Sequence, residues 1–436
     1  MIVTKFGGSS LADAAQFIKV KQILDMDHDR KFVVPSAPGK RGPGDDKITD
    51  LLYACHNAAK EGKPFRHTLE RIRARYEEIA AELSIPMDLN AEFAEIEKNL
   101  SAGASRDYAA SRGEYLNGKM LSKYLGFPFV DAAEVVRFTP DGHLMEEETN
   151  ALIGDRLRNM NRAVVPGFYG ADENGQIHTF SRGGSDVSGA LVARAVNADV
   201  YENWTDVTGF RMADPRIVPD AQYISTLTYR ELRELSYMGA TVLHEDAVFP
   251  VRKAGIPTNI RNTNDPKHPG TMIRANAGQD NSHVITGIAG NKGFSIISIE
   301  KDMMNAELGF GRRVLQAFEE YNINFEHLPT GIDTMCVVVH EKELASHKEA
   351  VLARIQELVH PDQITVSDHL ALIATVGRGM VRAFGTAARL FTAISSQGIS
   401  IRTIDQGSSE LNIIVGVDEE DFDAAVKAIY DTFVRT

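Results

Sequence analysis

From residue 294 onward the chain repeats itself at one constant spacing. Ile297 aligns with Ile373, Gly309 with Gly385, Ile323 with Ile399 and Gly331 with Gly407, and each pair lies 76 residues apart (407 − 331 = 76). An unbroken offset across four anchors implies two copies of one supersecondary unit. Each copy reads strand, Gly-containing turn, amphipathic helix, strand, strand, helix, the split βαβ order of ferredoxin-like modules. The modules are expected at 284–358 and 368–436, sharing a sheet or packing helix to helix. Just before them, ANAGQDNSH (275–283) is small and polar, as linkers are, which sets off 1–274 as a separate unit.

That first unit reads as α/β. IVTKF (2–6) is a short β-type run ending in Gly7-Gly8-Ser9-Ser10, and Ala14, Phe17, Val20 and Leu24 then share one helix face. FVVPS (32–36) and AVVPGFY (163–169) also run from apolar strand into Gly or Pro, as buried parallel strands do at their carboxyl ends. Residues 60–125 between them carry strong helix formers with alternating charge, so a helical cover is expected there: a lid, a dimer surface, or solvated structural helices.

Composition excludes several classes. A net charge of −13 argues against broad nucleic-acid or anionic-membrane binding. No apolar run reaches the roughly 18 residues a membrane span needs, and MIVTKFGGSS lacks the regions of a secretory signal, so a cytoplasmic protein is expected. Cys55 and Cys336 stand far apart, and no HExxH or HxH cluster occurs, so neither a disulfide framework nor a dedicated metal site is expected.

Four short constellations carry chemistry. In KFGGSS, glycines at a strand-to-helix turn let backbone N–H groups approach an anion, with Lys5 bringing an ammonium nearby; the turn is equally readable as structural, and no Walker A loop is present. In Ser181-Arg182-Gly183-Gly184-Ser185-Asp186 a second glycine turn opens a helix. Arg182 there offers a fork for a carboxylate, or simply a partner for Asp186. Thr205-Asp206 and Asp214-Pro215-Arg216 offer groups for ribose and phosphate, though turn chemistry alone explains much of them. In Ser111-Arg112-Gly113-Glu114, the Glu reads as a first-turn residue that favours the helix dipole.

In order along the chain, KFGGSS, SAPGKR, SRGE, PGFYGAD, SRGGSD, TDVTGF with DPR, GATVLH and IPTNIRNT closely resemble the aspartate kinases of the amino-acid kinase family. The C-terminal repeat resembles that family's paired ACT regulatory domains. The resemblance implies a three-layer α/β sandwich with a mainly parallel sheet, followed by two ferredoxin-like ACT modules. It also implies a monofunctional enzyme that moves the γ-phosphoryl of ATP, carried with Mg²⁺, to the side-chain carboxylate of L-aspartate. That reaction is the first step toward lysine, threonine and methionine.

Carried onto matching positions, Lys5 would stabilise the transferring phosphoryl, Gly7, Gly8 and Ser9 would cradle the ATP phosphates, and Asp186 would organise Lys5. Arg182 would hold the α-carboxylate of aspartate and Glu114 its ammonium, with Ser36, Thr49, Phe168 and Ser185 nearby. Thr205, Asp206 and Arg216 would fall in the nucleotide site. The sequence departs from the family at Thr208, Arg211, Thr241 and Glu245, and Arg211 is a candidate for the charge missing at Thr241. The ACT pair implies a lysine and/or threonine effector near Met304, Asn324, Phe325 and Glu326, and a homodimer or homotetramer assembled through these modules.

Overall fold

A computed structural model describes residues 1–181, 183–240, 242–243, 245–276, 278, 283–381 and 383–435. Contacts divide it into two units. One comprises Met1–Phe210, Tyr223–Tyr229 and Thr241–Ala277, the other Arg211–Gln222, Arg230–Ala240 and Gly278–Thr436. The division therefore does not fall at a single point near residue 274: two segments from within the N-terminal sequence join the C-terminal unit.

In the first unit, strands β1 (Ile2–Phe6), β2 (Arg30–Pro35), β3 (Ala163–Val164), β6 (Val200–Thr205), β7 (Thr226–Thr228), β8 (Thr258–Asn262) and β9 (Thr271–Arg274) form one sheet in the order β3-β2-β1-β6-β8-β9-β7. β4 (Tyr169–Ala171) and β5 (Ile177–Thr179) make a separate hairpin. All pairs in the large sheet are parallel except β8 with β9. On one face, Phe6 and Trp204 stack at 6.0 Å and join a core shared with α1 (Ala14–Met26), α2 (Ile48–Lys60), α3 (Arg66–Glu82), α4 (Leu89–Ser101) and α5 (Arg106–Leu125). After the short α6 (Ala132–Val135) and α7 (Glu146–Leu157), α8 (Gly184–Ala195) packs across β1, β2 and β6.

The helical cover at 60–125 is thus three successive helices, α3 to α5, beside α2. Ala102-Gly103-Ala104 interrupts it, and Ser105 caps α5 by accepting from the Tyr108 amide at 3.1 Å.

The second unit takes in most of α9 (Tyr229–Tyr237), and the chain returns to the first for α10 (Phe249–Ala254). The repeat then builds one sheet of six strands: β10 (Gly287–Glu300), β11 (Phe325–His327), β12 (Thr334–His340), β13 (Gln363–Val376), β14 (Thr403–Asp405) and β15 (Asn412–Asp418). Their order, β11-β12-β10-β13-β15-β14, reads as the same set of equivalents from either edge. The helices are α11 (Phe310–Glu319), α12 (Glu341–Leu344), α13 (Lys348–Val359), α14 (Thr386–Ser395) and α15 (Phe422–Tyr430).

The 76-residue spacing is kept in three dimensions: α11 maps onto α14 (386 − 310 = 76), and Gly309 and Gly385 both precede their helices at φ +78°. β10 pairs antiparallel with β13 from Gly287↔Val376 to Glu300↔Gln363, with register shifts at Lys292/Phe294 and Phe294/Ile296. Past the shift, Ile296–Glu300 pair with 363–367 of β13 and continue the sheet through β12. Before it, Gly287–Lys292 pair with 371–376, whose other neighbour is β15. Each module therefore takes its fourth strand from the other long strand. Among the described residues no helix is long and apolar enough to cross a membrane.

Candidate active site

The carboxyl ends of parallel strands collect loops at one edge of a sheet, where such folds bind ligands. Here the ends of β1, β2 and β3 are tied together, with Ser36 N–H donating to Phe6 O at 3.0 Å and Gly167 N–H to Pro35 O at 3.1 Å. The Gly7 amide is taken by Trp204 O at 2.9 Å. The donors left at the mouth of the turn are those of Gly8 and Ser9, which begin a single helical turn, Gly8–Leu11, and have no carbonyl one turn back. A Cβ on Gly8 would come within 2.9 Å of Ala37 O, and one on Gly7 would stand 3.5 Å from Lys5 Nζ. Gly8 thus lets the loop after β2 pack against the turn, and Gly7 keeps bare backbone beside the Lys5 ammonium, a pairing of N–H donors and a cation that suits phosphate oxygens.

Lys5 is buried and salt-bridged to Asp186, with Nζ to Oδ1 at 2.6 Å. Asp186 stands in the first turn of α8, and the same Oδ1 accepts from Asn203 Nδ2 at 2.7 Å. The partner of Asp186 is therefore Lys5. Arg182, the alternative partner, lies outside the described residues. α8 starts so close to Phe168 that a Cβ on Gly184 would sit 2.4 Å from the Phe168 ring. Phe168 itself has φ +78°, unusual for a bulky residue, and its amide is held by Ser188 Oγ at 2.9 Å. Ser185, on the same turn, is buried, and a Cβ on Gly167 would strike it at 2.8 Å.

Glu114 is not in a first helical turn. α5 begins at Arg106, so Glu114 sits in its third turn, and the dipole argument does not apply. Gly113 does not break the helix; a Cβ there would meet Ala37 Cβ at 2.8 Å, so glycine lets α5 press on the loop after β2. Glu114 is 5% exposed, and its Oε2 has no hydrogen-bond partner. Burial pushes its carboxyl up to about 8, against the pull of the Ala37 and Glu114 backbone amides and of Lys5. A buried carboxylate with an orphaned oxygen suits a cationic group delivered by a ligand. Ser36 and Thr49 are half-buried; Ser36 O accepts from Asn117 Nδ2 at 2.6 Å, and Thr49 stands in the first turn of α2.

The remaining positions scatter more. Thr205 ends β6, with its hydroxyl 3.2 Å from the carboxylate of exposed Asp206, and Thr208 Oγ1 accepts from Asn262 Nδ2 at 2.9 Å. Arg211 and Arg216 belong to the second unit. There Arg211 donates to Pro219 O and Ala221 O, and exposed Arg216 grips Asp214. Thr241 lies outside the described residues. In the first repeat Met304 is buried in the module core, Asn324 and Phe325 are exposed, and Glu326 accepts from Tyr237 Oη at 2.6 Å. Among the described residues no three His, Cys, Asp or Glu form a metal cage. The turn offers N–H donors and the Lys5 ammonium, and its carboxylate, Asp186, already holds Lys5 and Asn203, so Mg²⁺, which takes oxygen ligands, fits here as an ion carried on the phosphates of a bound nucleotide.

Sequence reading missed Asn203 and Tyr201, whose hydroxyl donates to Asp186 O at 3.0 Å. A signal was present: Glu202 and Asn203 interrupt an otherwise apolar central strand.

Residues 1–262 match the model of the amino acid kinase family, and 373–433 match an ACT domain. Aspartokinase 3 of Bacillus subtilis is 39% identical, over 99% of this chain and 98% of its own. The crystal structure of Clostridium acetobutylicum aspartate kinase, described as an allosteric enzyme, is 52% identical with a TM-score of 0.96, covering 99% of this chain and 100% of that one. E. coli aspartokinase III has been solved with aspartate and ADP in an R-state and with lysine and aspartate in a T-state. It is 25% identical with a TM-score of 0.75 in each, over 99% or more of both chains.

Proposed function

The chain belongs to the amino acid kinase family, among its aspartokinases, and from that premise we propose how its residues perform the reaction. It is an aspartate kinase: an oxygen of the aspartate side-chain carboxylate bonds to the γ-phosphorus of ATP as the bond from that phosphorus to the β–γ bridging oxygen breaks. The products are 4-phospho-L-aspartate and ADP. The attacking carboxylate is ionised near neutral pH, with a reference pKa of about 3.9, so no general base is needed. The difficulty is to bring two anions into line.

The observation that carries the site assignment is the convergence at the sheet edge of a buried ammonium, bare glycine amides and a buried unpartnered carboxylate. Gly8 and Ser9 amides hold phosphate oxygens, while Gly7 leaves room for them beside Lys5. Lys5, oriented by Asp186, meets charge developing on the transferring phosphoryl. Glu114 receives the substrate ammonium, and Arg182 its α-carboxylate; together they select an α-amino acid. Ser36, Thr49, Phe168 and Ser185 shape the aspartate pocket, and Thr205, Asp206, Arg211 and Arg216 serve the nucleotide. Bound with the nucleotide, Mg²⁺ would neutralise phosphate charge.

The enzyme works in the cytoplasm, and its ACT pair takes lysine and/or threonine as feedback effector near Met304, Asn324, Phe325 and Glu326; lysine bound to E. coli aspartokinase III supports this. Assembly as a homodimer or homotetramer through the ACT modules is supported by Leu308 and Phe384. These two residues are fully exposed and equivalent in the repeat (384 − 308 = 76). The deciding test is a hydroxamate assay for acyl phosphate with ATP, Mg²⁺ and each of several candidate acids. Aspartate-dependent product is expected, and product with glutamate but not aspartate would overturn the reading.

A further inference from the structure

The strand register sets Lys5 of β1 directly opposite Asn203 of β6, and both side chains reach the α8 face and end on a single oxygen. Lys5 Nζ is 2.6 Å and Asn203 Nδ2 2.7 Å from Asp186 Oδ1, and Asn203 is 3% exposed. The backbone of Asp186 is held separately: Tyr201 Oη donates to its carbonyl at 3.0 Å. Helix and strand approach that closely because residue 189 is glycine, where a Cβ would lie 2.6 Å from Tyr201 Oη. Tyr201 thus fixes where Asp186 sits, and what remains for Asn203 to set is the rotation of the carboxylate.

We propose that Asn203 is a positioning residue for phosphoryl transfer: its amide holds the Asp186 carboxylate so that Lys5 is bound through one oxygen and stays directed at the transferring phosphoryl. The proposal rests on the kinase reading and on Lys5 acting at the phosphoryl. A neutral donor suits this role, because it orients the carboxylate without contributing a second cation that would compete with Lys5 for it. Without the amide, the carboxylate is free to turn both oxygens toward Lys5, which would draw the ammonium back and damp its charge. Ground-state binding of ATP and aspartate does not depend on that rotation.

The test uses N203L and N203D in the full chain, with kcat and KM measured by acyl phosphate formation at saturating co-substrate from pH 6 to 8. Fluorescence of Trp204, the single tryptophan, and thermal melting report folding. N203L is expected to lose roughly 10- to 100-fold in kcat, the rate equivalent of one hydrogen bond to a charged group, with both KM values within about twofold of wild type. In N203D two carboxyl groups face each other and share a proton. At low pH the protonated side chain donates to Asp186 as the amide does. Its kcat should therefore recover as pH falls from 8 to 6, a trend the wild type lacks.

A purely structural residue would lower the melting temperature without creating that pH trend. The proposal is overturned by N203L with wild-type kcat, or by N203D whose kcat follows pH as the wild type does. Wild-type enzyme without aspartate-dependent turnover would instead strike the kinase reading itself.

Discussion

The most demanding test of the site falls on Glu114. With its carboxyl at about 8 in the free protein, only about a tenth of the molecules carry the charge at pH 7, and about half at pH 8. If the substrate ammonium binds the ionised form, the apparent KM for aspartate is multiplied by the reciprocal of that fraction. KM should thus fall roughly tenfold from pH 6 to 7, about fivefold from 7 to 8, and level off above, while kcat at saturating aspartate changes little. E114Q keeps the shape and removes the charge. Its KM should rise roughly 10- to 100-fold over the high-pH wild-type value, the loss of one charged hydrogen bond, and should not vary with pH.

Linkage gives an independent check with a fixed sign. A carboxyl raised in the folded state binds more protons than the unfolded chain between about 4.5 and 8, so its stabilising contribution is complete below that window and is lost as pH rises through it. The melting temperature of the ligand-free wild type should therefore fall relative to E114Q between pH 5 and 8. A pH-independent wild-type KM, or E114Q with the wild-type KM above pH 8, would refute the assignment of Glu114 to the ammonium.

K5M should lower kcat by about 10²- to 10³-fold with folding intact, since it removes a cation aimed at developing charge; retained activity would end its assignment to the phosphoryl. G8A places a methyl 2.9 Å from Ala37 O, and is expected to raise KM for ATP roughly tenfold with KM for aspartate unchanged. R211A, if Arg211 serves the nucleotide, should likewise raise KM for ATP alone, and equal effects on both substrates would count against it. Replacing Leu308 and Phe384 together by Asp should shift the sedimentation coefficient toward the monomer; an unchanged value would move the assembly surface elsewhere.

What the sequence made legible was local or periodic. The 76-residue spacing survives as superposable elements because a module's helix and turn are written in contiguous residues, down to the left-handed glycine before each helix. Strand sharing between the modules was not legible, since it depends on two 14-residue strands that each serve both modules and change neighbours at an irregularity in their pairing. The same contrast divides the site. Lys5 and the glycine turn announce themselves through residue type at a strand end, whereas Glu114 reads as a first-turn residue only if the helix is started at Gly113-Glu114, although Gly103, the Ser105 cap and Asp107 mark its beginning upstream.

Asn203 shows where such reading stops. Its meaning comes from standing opposite Lys5 across a parallel pair whose partners are 198 positions apart (203 − 5 = 198), a register set by the whole sheet rather than by either strand. A polar residue in a central strand can be seen in the sequence as an anomaly. Only the register says which charge it serves, and hence whether replacing it should disturb binding, stability or the rate of transfer.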